Sequence, residues 1–152
     1  MYRQRLDASG WELLLVHPGG PFWRKKDEGA WTIPKGEFND SESPLDAAKR
    51  EFNEELGAKP PEAEPIKLKP VRQAGGKVVH CWAVAGDFDP SKLQSNTFKQ
   101  EWPPKSGRFI DVPEVDRAAW FSPAAARQKI NSGQVPLIDE LMGMLNVSEA
   151  RP

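Results

Sequence analysis

Apolar positions along the chain fall into short extended runs, broken once by a long helical repeat. Trp11-Glu12-Leu13-Leu14-Leu15-Val16 is an almost continuous apolar run, the pattern of a mostly buried strand. His17-Pro18-Gly19-Gly20-Pro21 ends it with turn residues. Trp31-Thr32-Ile33 predicts a short extended piece, because Pro34 keeps the residue before it out of helical geometry. From Ser43 the spacing becomes helical. Ser43 is the expected N-cap, Pro44 suits the first helical position, and Asp46 sits where a capping-box acid belongs. Gly57 is the expected left-handed C-cap.

The second half alternates in the same way. Pro60, Pro61, Pro65 and Pro70 mark a connection holding a weak strand at 66–68, and residues 77–85 predict a strong strand. Residues 87–114 show little periodicity and much Pro, Gly and charge, which reads as a functional loop or lid, or as short strands that the pattern does not separate. Residues 118–121 predict a final short strand. Ser122-Pro123 starts a helix to about Asn131, and Gly133 breaks it. Pro136 opens another helix, with Leu137, Ile138, Leu141 and Leu145 as its stripe. Only residues 1–6 are available for a strand ahead of the first apolar run. Strands interleaved with helices predict an α/β chain with a mixed central sheet between helical layers.

Composition narrows the class. The chain has 152 residues, enough for one domain, placed at 1–147 with a short tail at 148–152. Hydrophobic residues make up 38% and charged residues 28%, as expected for a folded globular chain. The net charge of −1 supplies no global field for nucleic acid or membrane, so phosphate binding would have to be local. One cysteine, Cys81, excludes an internal disulfide and a zinc cluster, and its apolar neighbours predict a buried thiol. No apolar run is long enough to span a membrane and no leader pattern is visible, so a cytoplasmic location is expected.

The helix carries the chemistry. At about 100° per residue, Glu54 and Glu55 flank Glu51 within roughly 60° on either side, so three carboxylates share one face. Phe52, Leu56 and Leu45 take the neighbouring face, while Arg50, Asp46 and Asn53 are expected on the solvent side. An acidic face beside a buried stripe is unfavourable alone, since like charges at i,i+4 repel. A hard divalent cation reverses the sign, and oxygen-only donors select Mg²⁺ or Mn²⁺.

These positions are similar to a known signature: Gly, five residues, Glu, seven residues, then Arg-Glu-apolar-x-Glu-Glu-x-Gly-apolar. Gly36, Glu42 and Arg50-Glu51-Phe52-Asn53-Glu54-Glu55-Leu56-Gly57-Ala58 meet its fixed identities, with Ala58 smaller than the usual aliphatic. The chain thereby resembles the Nudix hydrolases. The resemblance implies an alpha/beta/alpha sandwich and metal-assisted cleavage of a phosphoanhydride. It implies that Glu51, Glu54 and Glu55 hold the metal, with the Gly36 carbonyl as a further ligand. Arg50 would orient a glutamate, and Glu42 would be structural. The resemblance leaves the proton acceptor open between a motif glutamate, Glu51 or Glu54, and a carboxylate from a distant loop, where Glu101 comes first, with Glu114 and Asp111 behind it.

The flanks bear on substrate. Trp31-Thr32-Ile33-Pro34-Lys35-Gly36 resembles the branch that includes diadenosine tetraphosphate hydrolases, which makes Lys35 a phosphate contact. Trp23 and Trp102, in loops, are candidate base-stacking rings, and Arg24-Lys25-Lys26 is a candidate polyphosphate clamp, with Lys105 and Arg108 as similar cations. Trp31, Trp82 and Trp120 are expected in the core, and His17 and His80 are expected to be structural. The favoured substrate is a dinucleoside polyphosphate. Triphosphate pyrophosphohydrolysis, RNA 5′-end pyrophosphohydrolysis and a non-catalytic nucleotide sensor are the alternatives. The partner is a nucleotide; no strong nucleic-acid binding is expected, and the chain would be a monomer or homodimer.

Overall fold

The computed structural model describes residues 1–7 and 10–149. The expected tail falls partly outside them, at 150–152. Strand β1 (Tyr2–Gln4) pairs antiparallel with β2 (Trp11–Pro18), and β2 pairs antiparallel with β9 (Val115–Phe121). Parallel bridges from Tyr2 to Ala85 and from Trp31 to Ile130 make the assembly mixed, as expected. β2 is buried on both sides because its alternate residues feed two cores. Leu13 and Leu15 face helices α2 (Pro123–Lys129) and α3 (Val135–Glu149), together with Trp31, Ile130 and Leu137. Leu14 and Val16 face helix α1 (Pro44–Leu56), with Phe52, Leu56 and Val115. The period of two along a strand thus builds the three-layer sandwich.

The strand expected at 77–85 is interrupted. Its halves are β5 (Val78–Val79), paired with β4 (Val71–Arg72), and β6 (Trp82–Ala83), paired with β3 (Ile66–Lys67). The register shifts by one residue across Lys69-Pro70. Proline has no N–H for a ladder, and the Lys69 N–H turns instead to Glu140 (2.9 Å). Residues 87–114 contain a hairpin of β7 (Thr97–Glu101) and β8 (Phe109–Pro113). Phe98, Phe109 and Ile110 remain exposed on it, so the usual alternation of apolar and polar faces is blurred.

Trp31 is buried as expected, whereas Trp82 and Trp120 are only half-buried. Trp120 donates to the Phe88 carbonyl and carries the Arg3 guanidinium over its ring. Cys81 is half-buried rather than enclosed, with burial pushing its thiol up to about 11, so it is inert as a nucleophile at neutral pH. No helix among the described residues is long and apolar enough to cross a membrane.

Candidate active site

Helix α1 is placed at both ends by its own sequence. The Ser43 hydroxyl accepts from the Asp46 N–H (3.1 Å). Gly57 closes the helix at φ 74°, with its N–H on the Asn53 carbonyl. The neighbouring carbonyls are capped from a distance: Gln94 N–H donates to Leu56 (3.2 Å) and Asn96 N–H donates to Glu54 (2.9 Å). The Asn96 carbonyl in turn accepts from the Glu114 N–H (2.8 Å). Backbone pairing therefore carries Glu114, between β8 and β9, to the acidic face of α1.

Glu51, Glu55 and Glu114 each offer a carboxylate oxygen, all within 4.8 Å of one another. Glu51 and Glu55 are buried. Burial first, then repulsion from Glu51 and Glu114, pushes Glu55 up to about 8 against the hydrogen bond from the Lys35 N–H. Glu114 is also raised, by burial and by Glu51 and Glu54. Two buried carboxylates and a third pressed against them make an unfavourable charge cluster. A hard divalent cation would neutralise it, and the all-oxygen donor set fits one.

The glycine loop closes on this cluster from the other side. The Lys35 N–H donates to Glu55 Oε2 (3.2 Å). A Cβ built on Gly36 would lie 1.9 Å from the Glu51 carboxyl carbon, so only glycine permits the approach. Arg50 departs from the solvent-side expectation. Its long side chain sweeps across the acidic face to bond Glu42 (2.7 Å), Glu51 (2.8 Å), Glu54 (3.2 Å) and the Glu37 carbonyl (3.0 Å). Glu42 is held below its ordinary range by that hydrogen bond. Glu54 thus lies under Arg50, at the border of the trio rather than within it.

Beside Gly36 is a small cleft of about 60 Å³, lined by Pro34, Lys35, Phe38, Lys77 and His80 among others. Burial, then repulsion from Lys77, lowers the Lys35 ammonium, while Glu55, Glu37 and Glu51 oppose the shift. Two cations facing one cleft are suited to an anion. Phe38 and His80 meet edge to face across it, with centroids 6.0 Å apart. Lys77 and Phe38 carry no local signal in the sequence. The β4–β5 turn brings Lys77 in, and the loop after Gly36 brings Phe38. A separate apolar cavity of about 120 Å³ lies on another face of α1, against Leu45, Ala48 and Phe52, and includes none of the trio.

The remaining sequence candidates are spread more widely. Glu101 lies four residues up the hairpin from Thr97, about 13 Å along an extended strand. Its carboxylate accepts from the Lys105 N–H (2.5 Å) at the hairpin turn, with Trp102 beside it. Asp111 is exposed and pairs with Lys99 (2.6 Å). Trp23 packs on Phe22, with Lys26 near both rings, and neither contact involves a carboxylate of the trio. Arg24, Lys25, Lys105 and Arg108 are exposed. His17 is fully buried between Asp116 (2.8 Å) and the Lys26 carbonyl (2.6 Å), and His80 is exposed at the cleft.

Comparison with known proteins agrees with this architecture. A family model described as the NUDIX domain matches residues 5–141. No curated protein matches the chain. Among solved structures, an Ap4A hydrolase from C. elegans, in a binary complex, is 18% identical with a TM-score of 0.62, over 96% of this chain and 98% of that one. The E. coli ORF135 protein is 22% identical with a TM-score of 0.56, over 98% and 89%. The NUDIX domain of Shewanella oneidensis NrtR, complexed with ADP ribose, is 18% identical with a TM-score of 0.60, over 95% and 82%. At these identities the likeness establishes the fold.

Proposed function

The chain belongs to the NUDIX domain family and is a Nudix hydrolase, and from that premise we propose that it cleaves a P–O–P link in a dinucleoside polyphosphate. The observation that carries the chemistry is the convergence of Glu51, Glu55 and Glu114 against the Gly36 loop. Glu51, Glu54, Glu55 and Glu114, with the Gly36 carbonyl, would hold Mg²⁺ or Mn²⁺. Such an ion supplies Lewis-acid polarisation of phosphate oxygens and offsets their charge.

The protein's own groups do the rest. Arg50 fixes the directions of Glu51 and Glu54 through its guanidinium. Lys35 and Lys77 attract the phosphates from the cleft side. Glu114 is favoured over Glu101 as proton acceptor, because it is one of the trio, whereas the Glu101 carboxylate is held by the Lys105 N–H at the hairpin turn. Trp23, Arg24, Lys25 and Trp102 are retained as outer contacts for a second nucleoside and its phosphates. The Ap4A hydrolase likeness and the Trp31–Gly36 segment support the substrate class.

A panel of diadenosine tetraphosphate, nucleoside triphosphates, ADP-ribose and 5′-triphosphate RNA, run with Mg²⁺ and with Mn²⁺, tests the substrate. Diadenosine tetraphosphate giving ATP and AMP is expected. Pyrophosphate release from a triphosphate without dinucleotide cleavage overturns the substrate assignment. Glu54→Gln is expected to lose turnover by orders of magnitude while remaining folded. A wild-type protein that binds these nucleotides and turns none over is a sensor instead.

A further inference from the structure

Gln134 lies in the short 3-10 turn ahead of α3 and is fully buried. A side-chain amide enclosed to that degree must satisfy both its ends, and here it does so on two separate segments. Its oxygen accepts from the Ile33 N–H (3.0 Å) and the Thr32 hydroxyl (3.1 Å). Its nitrogen donates to Gln73 Oε1 (3.1 Å) and to the Thr32 hydroxyl (2.9 Å). Thr32 is already paired through its backbone to Val16 of β2. The Ile33 N–H is thus met by a side chain where a neighbouring strand would otherwise serve.

The two segments run on into two of the stretches that line the cleft. Beyond Ile33 come Pro34, Lys35 and Gly36. Proline fixes φ at Pro34, and the residue before a proline is confined to extended geometry. Little slack therefore separates the Ile33 N–H on Gln134 from the Lys35 N–H on Glu55 Oε2. In the second segment Gln73 opens the turn, and its own N–H donates to the Lys77 carbonyl (2.8 Å). Displacing the Gln134 amide would loosen both lysine-bearing segments together.

We propose that Gln134 is a positioning residue of the active site, a buried clasp that sets the Lys35–Gly36 loop against the carboxylates and the Lys77 turn against that loop. It touches no reacting atom. It acts through Ile33 on the metal side and through Gln73 on the phosphate side. The proposal rests on the reading of this site as a metal-dependent hydrolase, but its metal arm is open to direct measurement.

Gln134→Met keeps the length of the side chain and removes both polar ends. Gln73→Met severs only the arm to Lys77. Mn²⁺ binding by electron paramagnetic resonance is read on metal-free protein, alongside KM for diadenosine tetraphosphate and the thermal midpoint. Gln134→Met is expected to weaken Mn²⁺ binding and to raise KM, each by roughly fivefold or more, the scale of a lost buried hydrogen bond. Gln73→Met is expected to raise KM with Mn²⁺ binding unchanged. A folded Gln134→Met with a lower midpoint but wild-type Mn²⁺ binding and KM would make Gln134 a core residue only, and overturns the proposal. Where Gln134→Met does not fold, Thr32→Val and Gln73→Met decide, and unchanged Mn²⁺ binding in the first with unchanged KM in the second overturns it. Failure of the functional reading is distinct: wild-type protein turns over no nucleotide, yet Mn²⁺ binding still weakens in Gln134→Met.

Discussion

A Cβ on Gly36 would lie 1.9 Å from the carboxyl carbon of Glu51 and 2.2 Å from each of its oxygens. No rotation of an added methyl relieves such an approach, so the carboxylate or the loop must move. Gly36→Ala is therefore expected to displace Glu51 by about an ångström, and a misplacement of that size costs about 100-fold in turnover. Because Gly36 is exposed, the thermal midpoint of the metal-free protein should change little. Turnover within threefold of wild type would show that Glu51 has another workable position.

Glu114→Gln removes one of the three crowded carboxyl groups and keeps the side-chain volume. Glu114 is raised by burial and by Glu51 and Glu54, so its loss should not destabilise the metal-free protein. The Mg²⁺ concentration for half-maximal activity is expected to rise at least about tenfold, the lower end for changes around a bound metal. Chemical denaturation without metal, set beside metal titration of activity, separates the effects. A destabilised metal-free protein with an unchanged Mg²⁺ requirement would remove Glu114 from the site.

The contrast between Glu114 and the helix glutamates shows what a sequence can and cannot display. Glu51, Glu54 and Glu55 are legible because the helical repeat alone aligns them, and Ser43 and Gly57 fix the ends of that repeat. Glu114 arrives through the pairing of Asn96 with both Glu54 and Glu114, contacts between segments far apart in the chain. Glu101, the better sequence candidate, stays at the hairpin turn because its strand runs away from the helix. Lys77 was hidden for a similar reason. It looks like the first residue of a strand until the shift at Lys69-Pro70 shows that the strand changes partners.

Gly57 offers a test of that long-range route. Its φ of 74° favours glycine, and a Cβ there would meet the Gln94 carbonyl oxygen at 2.6 Å. Gly57→Ala incurs both faults and should lose at least the roughly 1–2 kcal/mol of left-handed strain. Asparagine tolerates that backbone, so Gly57→Asn should recover part of the stability while still pushing residues 94–96 outward. Both variants are expected to raise the Mg²⁺ requirement, because Asn96 holds Glu114. Urea denaturation and metal titration measure the two effects. A Gly57→Asn protein with a wild-type Mg²⁺ requirement would uncouple the helix end from Glu114.

Lys35 and Lys77 make a prediction about binding rather than chemistry. Lys35 is lowered by burial and then by Lys77, so removing Lys77 leaves the Lys35 ammonium easier to keep charged. Lys77→Met should raise KM with little change in kcat, since one phosphate contact is lost while the carboxylates are untouched. Lys35→Met should raise KM further and lower kcat as well, because its half-buried ammonium also interacts with Glu55 and Glu51. Equal losses of kcat in both variants, with KM unchanged, would take the cleft out of substrate binding.

Stability and metal affinity should both follow Glu55. Its folded pKa of about 8 lies above the ordinary carboxyl value of 4.5, so the folded state holds a proton that the unfolded chain has released. The stabilisation tied to this group is fully present below about pH 4.5 and is lost as pH rises toward and through 8. A cation needs the ionised form, so below pH 8 it competes with that proton, and apparent affinity should rise by up to about tenfold per pH unit. The thermal midpoint of EDTA-treated protein should therefore fall between pH 5 and pH 8, and the gain from saturating Mg²⁺ should widen over the same interval. In Glu55→Gln the EDTA-treated midpoint should lose most of this slope, because the proton-linked group is gone. A Mg²⁺ gain that is constant across that interval in the wild-type protein would separate the cation from Glu55.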